Sequence, residues 1–189
     1  MKGLTNSLRP AVILLLVGLL LGSGSFAESR GITGDRAEGD SDVAKTGCTC
    51  HSDNVIAPTD SMTLIIEGVP FGWSGGESYE LTIQLIGGPE MDTSSNTGGF
   101  SMRVTSGVLS AGSGFEGKVK NDGSEQTLTH TAAGAQTEDR TWHIVWTAPA
   151  AGSGEVTIWL AGNSVDGNSA AMAPDSYNRL SFSLPEGGD

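Results

Sequence analysis

Tyr79-Glu-Leu-Thr-Ile-Gln-Leu85 sets Tyr79, Leu81, Ile83 and Leu85 on one side of an extended chain and Glu80, Thr82 and Gln84 on the other. A strand repeats every two residues, so this stretch predicts a strand with one dry and one wet face. The alternation recurs in both directions: Met62, Leu64 and Ile66 before it, then Phe100, Met102 and Val104, Trp142, Ile144 and Trp146, Val156, Ile158 and Leu160, and Leu180, Phe182 and Leu184. Leu128 and His130 share a side opposite Thr127, Thr129 and Thr131. Turn signals separate these runs, among them Gly87-Gly-Pro89, Asn121-Asp-Gly123 and Ala148-Pro-Ala-Ala-Gly152. About seven short strands at fairly even spacing predict an all-β fold, an immunoglobulin-like antiparallel β-sandwich over residues 62–184.

Toward the N-terminus the pattern stops. Residues 28–61 are rich in Gly, Asp, Ser and Thr and read as an irregular leader packed on the sandwich. Before them, Lys2 and Arg9 precede the apolar run Ala11–Leu21, and small residues follow as far as Ser25-Phe-Ala27. This is the order of a secretory signal peptide over residues 1–27, with Glu28 as the mature N-terminus. The apolar run is shorter than the roughly 20 residues a membrane-spanning helix needs. No second such run follows, so no transmembrane segment is expected in the mature chain. The expected location is secreted, periplasmic or at the cell surface. Residues 185–189 form a short tail.

The chain carries a net charge of −12. The signal holds basic and no acidic residues, so the mature chain is more negative still. Such a surface repels nucleic acid and anionic lipid and favours basic partners, including a basic redox protein. No nucleophile elbow, zinc-protease helix, phosphate loop or dinucleotide fingerprint occurs, so no enzyme class is indicated. Asp92, Asp122, Glu138, Asp139 and Asp166 lie in turn-rich segments without the dense Asp and Asn alternation of a calcium loop.

One dense cluster carries chemistry: Gly47-Cys-Thr-Cys-His51. Cys-x-x-Cys-His attaches c-type haem through two thioethers, with the His as an axial ligand. Here the spacing is one residue short. Two positions turn about 200° around a helix, so Cys48 and Cys50 do not face one porphyrin edge together. Haem c would then be held by a single thioether through Cys50, with His51 as proximal ligand and Cys48 as a second thioether only if the segment unwinds. Two other chemistries fit the same residues. Cys48, Cys50 and His51 suit copper or zinc, and Cys48 with Cys50 suits a small disulfide in an oxidising compartment. A second ligand would come from the sandwich, and His130 is the candidate. It competes with the reading of a hydrogen-bonded core histidine. His143 faces away from Trp142 and Trp146 and reads as solvated. Met102 reads as core, and Met91 and Met172 as loop surface.

Taken in order, Gly31-Ile-Thr-Gly34, Gly47-Cys-Thr-Cys-His-Ser52, Gly99-Phe100, Leu128-Thr-His-Thr131, Trp142 with Trp146-Thr-Ala-Pro149, Ala161-Gly-Asn163 and Asp166-Gly-Asn168 resemble the choice-of-anchor V family. Those are exported prokaryotic domains related to the reelin N-terminal (Reeler) domain. The resemblance spans about residues 31–184 and implies an immunoglobulin-like sandwich preceded by a Cys-x-x-Cys-His-like motif. This chain departs from that pattern in its Cys-x-Cys-His spacing. It also ends at Pro185-Glu-Gly-Gly-Asp189 without the family's sorting tail, as expected of a secreted or truncated chain.

Two functions follow as expectations. One is an exported haem- or metal-binding module for electron transfer or cofactor binding, using Cys48, Cys50, His51 and His130. The alternative is a secreted or cell-surface interaction or structural module with a Cys48–Cys50 disulfide and no cofactor.

Overall fold

The computed structural model describes residues 30–31, 42–48, 61–169 and 174–187. The signal peptide, Cys50, His51 and Met172 lie outside the described residues. Among the described residues nine strands form two antiparallel sheets. β1 (Met62–Glu67), β2 (Ser78–Gly87), β7 (Thr141–Thr147) and β4 (Val108–Ala111) lie side by side in that order. The second sheet runs β5 (Val119–Asn121), β6 (Thr127–His130), β3 (Gly98–Val104), β8 (Val156–Ser164), β9 (Ser176–Leu184).

Constant-type immunoglobulin domains order their strands A-B-E-D on one sheet and C-F-G on the other. β1-β2-β7-β4 and β3-β8-β9 reproduce that order, and the hairpin β5–β6 is added beside β3. All seven strands expected from alternation are present. The two further strands, β4 and β5, are four and three residues long, too short to show a period.

The dry faces meet in one core. Trp142, Trp146, Ile83, Met102, Ile158 and Leu160 are fully buried there, and Phe100 stacks obliquely on Trp142 with 5.2 Å between ring centroids. Trp73, in the β1–β2 connection, joins the same core. Each tryptophan of β7 satisfies its indole N–H on a loop carbonyl: Trp142 donates to Gly134 O (2.8 Å) and Trp146 to Ser106 O (3.2 Å). The open edges are tied across the sandwich by asparagines. Asn121 Nδ2 of β5 donates to Leu109 O of β4, and Asn178 Nδ2 of β9 donates to Met62 O of β1.

Arg140 clasps the loops at one end. Its guanidinium is buried and donates to the carbonyls of Thr97, Gly87, Pro89 and Val165. Burial lowers its pKa, and Asp175 pulls the other way. Its φ of 54° lies in the left-handed region, rare for a residue with a side chain. Four hydrogen bonds from one side chain hold it there.

The two outer faces differ. On the four-stranded sheet the outward residues Glu80, Thr82, Gln84, His143 and Val145 are exposed or half-buried. On the five-stranded sheet Thr129, Ser101, Ala161, Asn163 and Tyr177 are buried, with Gly31 of the leader against Thr129 and Gly47 against Tyr177. The leader is not wholly irregular: Val43–Thr46 forms a single helical turn, α1, in contact with β3, β8 and β9.

Candidate functional site: the leader-covered end of the five-stranded sheet

α1 docks through its apolar side chains and its charges. Val43 and Ala44 are buried against the sheet. Asp42, just before the turn, meets Arg103 Nε of β3 at 2.7 Å and Lys45 Nζ at 3.3 Å. The Lys45 ammonium stands 4.6 Å from the ring centroid of Trp159 on β8. Arg179 of β9 donates to the carbonyls of Lys45 (2.7 Å) and Thr46 (3.4 Å), which the helical turn leaves open. Gly47 then crosses the ring of Tyr177 so closely that a Cβ would stand 2.6 Å from Cε2, and its φ of 97° needs a glycine in any case. The chain passes to Cys48, which is half-buried. Burial raises the pKa of the Tyr177 hydroxyl, Arg179 lowers it, and the neighbouring Cys48 sulfur adds to the rise.

Tyr177 begins a row across the sheet. It pairs with Asn163 of β8, which pairs with Gly99 of β3. The β3–β6 ladder runs from Arg103–Thr127 to Ser101–Thr129 and stops there. At the next position the His130 side chain takes the place of a ladder partner: Nδ1 accepts the Phe100 amide at 3.0 Å and lies 3.1 Å from the Phe100 carbonyl. The ring presses on Gly99, where a Cβ would stand 2.2 Å from Cε1. Gly31 closes the edge above, and a Cβ there would meet the His130 carbonyl at 2.1 Å. His130 is 8% exposed. It shares neither the core position of Leu128 nor open solvent; it lies in the covered edge.

The structure therefore sets Gly47, the residue before Cys48, against Tyr177 of β9 and His130 against Gly99 of β3, two positions that lie two strand spacings, roughly 10 Å, apart on one sheet. Cys50 and His51 lie outside the described residues. His143 is elsewhere, exposed, 3.0 Å from Thr82 Oγ1 and edge-on to Phe115. Met102 is in the core and Met91 is exposed. Among the described residues no three of His, Cys, Asp and Glu gather closely enough to hold a metal ion.

Sequence reasoning did not assign Asn163 and Tyr177 to the site. One signal was present: an Asn inside the apolar run of β8 is unusual, since Asn is depleted in strands. Five stretches far apart in the chain meet here: Gly31, Gly47-Cys48, Gly99-Phe100, Thr129-His130 and Asn163.

No family model and no curated protein matches the sequence. Among solved structures, the Reelin-N domain of F-spondin aligns at 20% identity and a TM-score of 0.44, covering 69% of this chain and 89% of that one. The human F-spondin reeler domain aligns at 18% and 0.44, covering 69% and 91%. A conjugative transposon lipoprotein from Bacteroides eggerthii aligns at 15% and 0.38, covering 67% and 98%.

Proposed function

We propose that this chain is an exported interaction or structural module, secreted or held at the cell surface, that works by binding and not by turnover. The observation that supports it is the docked leader. An ion pair, a cation over an aromatic ring and a capping arginine fix α1 to the five-stranded sheet, so that the leader is part of the domain surface. The signal-like N-terminus and the resemblance to the choice-of-anchor V family accord with export. Among the described residues no helix is long and apolar enough to cross a membrane. The acidic surface suits a basic partner. Intact-mass analysis of the exported protein tests the reading. A mass starting at Glu28 supports it; retention of Met1–Ala27, or failure to leave the cytoplasm, rejects it.

A second reading is favoured by one specific placement: Cys48 and His130 lie at the same end of the same sheet. There the Cys48–His51 segment holds a cofactor, either haem c through Cys50 with His51 as axial ligand, or copper or zinc, with His130 as the further ligand. The visible spectrum of protein made in a haem-attaching host separates the forms. A Soret band that survives denaturation and depends on Cys50 supports haem. A colourless protein with a Cys48–Cys50 disulfide by mass spectrometry rejects the cofactor reading and leaves the module reading standing.

A further inference from the structure

Phe71 stands fully in solvent in the β1–β2 connection. Exposed apolar side chains scattered singly are common and need no cause. This one differs in its mounting. Pro70 precedes it, and the backbone on its other side is fixed to residues 185–187. The Trp73 amide donates to Pro185 O at 3.1 Å, and the Gly187 amide donates to Trp73 O at 2.8 Å. Gly72 packs on Gly187, where a Cβ would stand 3.3 Å from the Gly187 Cα. The Trp73 side chain is buried in the core. Glu186 ties in a third segment by accepting the amides of Gly152 and Gly154. The Phe71 ring is thus carried on a backbone that is already ordered. An aromatic side chain also has few rotamers to lose on docking.

The charge at this end bears on what fits there. The register of the two sheets brings residues 67–80, 105–107, 121–126, 147–156 and 184–187 to one end of the sandwich. Glu67, Glu77, Glu80, Glu125 and Glu155 are exposed there, and these segments contain no Lys or Arg. Ala150 and Ala151 are exposed in the β7–β8 connection, next to Pro149, whose carbonyl accepts the Gly76 amide at 3.0 Å. A second copy of this chain would bring carboxylates against carboxylates, and an anionic lipid surface would meet the same repulsion. A basic protein surface with apolar side chains that close around the ring complements both the Phe and its acidic surroundings.

We propose that Phe71 anchors a docking surface at this end of the sandwich for a basic protein partner, which encloses the ring in apolar side chains flanked by Lys and Arg. This rests on the module reading and names its partner class. Export and the docked leader stand without it, since the mass of the exported chain and binding at Phe71 are read separately.

The test selects a random peptide library displayed on phage against the full exported chain, then measures synthetic copies of the enriched sequences in solution. The expected peptides combine Lys or Arg with a cluster of apolar residues. Phe71→Ala should weaken their binding about tenfold or more, while Phe71→Tyr should keep it within about threefold. Glu77→Gln combined with Glu155→Gln should weaken binding about threefold and flatten its loss with added salt. Phe71→Ala should leave the urea midpoint unchanged, so that the loss of binding is local. The proposal is overturned if no enriched peptide distinguishes Phe71→Ala from the unmutated chain, if the enriched peptides carry no excess of Lys and Arg, or if their affinity is indifferent to salt. It is also overturned if Phe71 instead drives self-association in sedimentation or binding to vesicles of phosphatidylcholine with phosphatidylglycerol, or if Phe71→Ala lowers the urea midpoint.

Discussion

The outer face of the four-stranded sheet and that of the five-stranded sheet are built from the same kind of strand, yet one is wet and the other covered. Outward positions of β2 and β7 are Glu80, Thr82, Gln84, His143 and Val145, which meet solvent. At the His130 end of the five-stranded sheet the outward positions are small or polar and buried, Gly99, Ser101, Thr129, Ala161, Asn163 and Tyr177, while Arg179, Ser181 and Ser183 of β9 are exposed. Polar residues under cover are costly unless partnered. Their presence marks the face where the chain keeps something other than packing. The wet face is a surface; the covered face is an interface within the molecule, and that is where both functional readings lie.

The core common to both sheets should dominate stability. Trp142→Ala and Trp146→Ala should each cost about 3–5 kcal/mol, while His143→Ala, between them on the wet face, should stay within about 0.5 kcal/mol. Urea unfolding checks this. Equal effects at positions 142 and 143 would dissolve the distinction between the dry and wet sides of β7.

The next effect sharpens the contrast between the two outer faces. Val43→Asp puts a charge where α1 meets the five-stranded sheet and should cost about 1–3 kcal/mol, whereas Thr82→Asp on the other outer face should be near neutral. Comparable urea midpoints for the two variants would show that the leader contributes nothing to stability.

Glycines give the same contrast at smaller scale. Gly99→Ala drives a Cβ into His130 and should cost about 1–3 kcal/mol; Gly117→Ala meets nothing within 4 Å and should be tolerated. If Gly99→Ala leaves stability and the His130 imidazole resonances unchanged by NMR, the packing of that ring is other than described.

How much was legible in the sequence follows this division. The strands of the wet-faced sheet alternate cleanly, so β1, β2 and β7 and the inward Trp142 and Trp146 could be read directly. On β8 the alternation holds from Val156 to Leu160 and then fails, since residues 161–164 are buried on both faces. Cover by the leader removes the periodic signal there. That is why Asn163, though unusual in a strand, was not assigned to the site, and why His130 could be read as a candidate ligand or a core histidine but not through its bond with the Phe100 amide. Arg140 was equally silent: its clasp depends on carbonyls from Gly87, Pro89, Thr97 and Val165, which only the folded chain brings together. The cluster at Cys48–His51 was plain in sequence because its spacing is local.

The smallest expected effect is alkaline. Burial raises the pKa of the Tyr177 hydroxyl above the ordinary tyrosine value of 10.0. Below that value the group is protonated whether folded or not. As pH rises through about 10 the unfolded chain gives up this proton more readily, so stability falls. Tyr177→Phe should flatten the decline in urea midpoint between about pH 9 and about pH 11. An unchanged slope would show that Tyr177 is not covered by Gly47 and its neighbours in solution.

The central claim, that the leader covers the end of the five-stranded sheet around Ser101 and His130, is tested most directly by thiol labelling. In a chain with Cys48→Ser and Cys50→Ser, single probes Ser101→Cys and Thr82→Cys report the two outer faces. Ser101 is 1% exposed, so the Ser101→Cys thiol should react only when the leader opens, about a hundredfold or more slower than the Thr82→Cys thiol. Adding Val43→Asp should bring the two rates together. Equal rates with the leader intact would contradict the account.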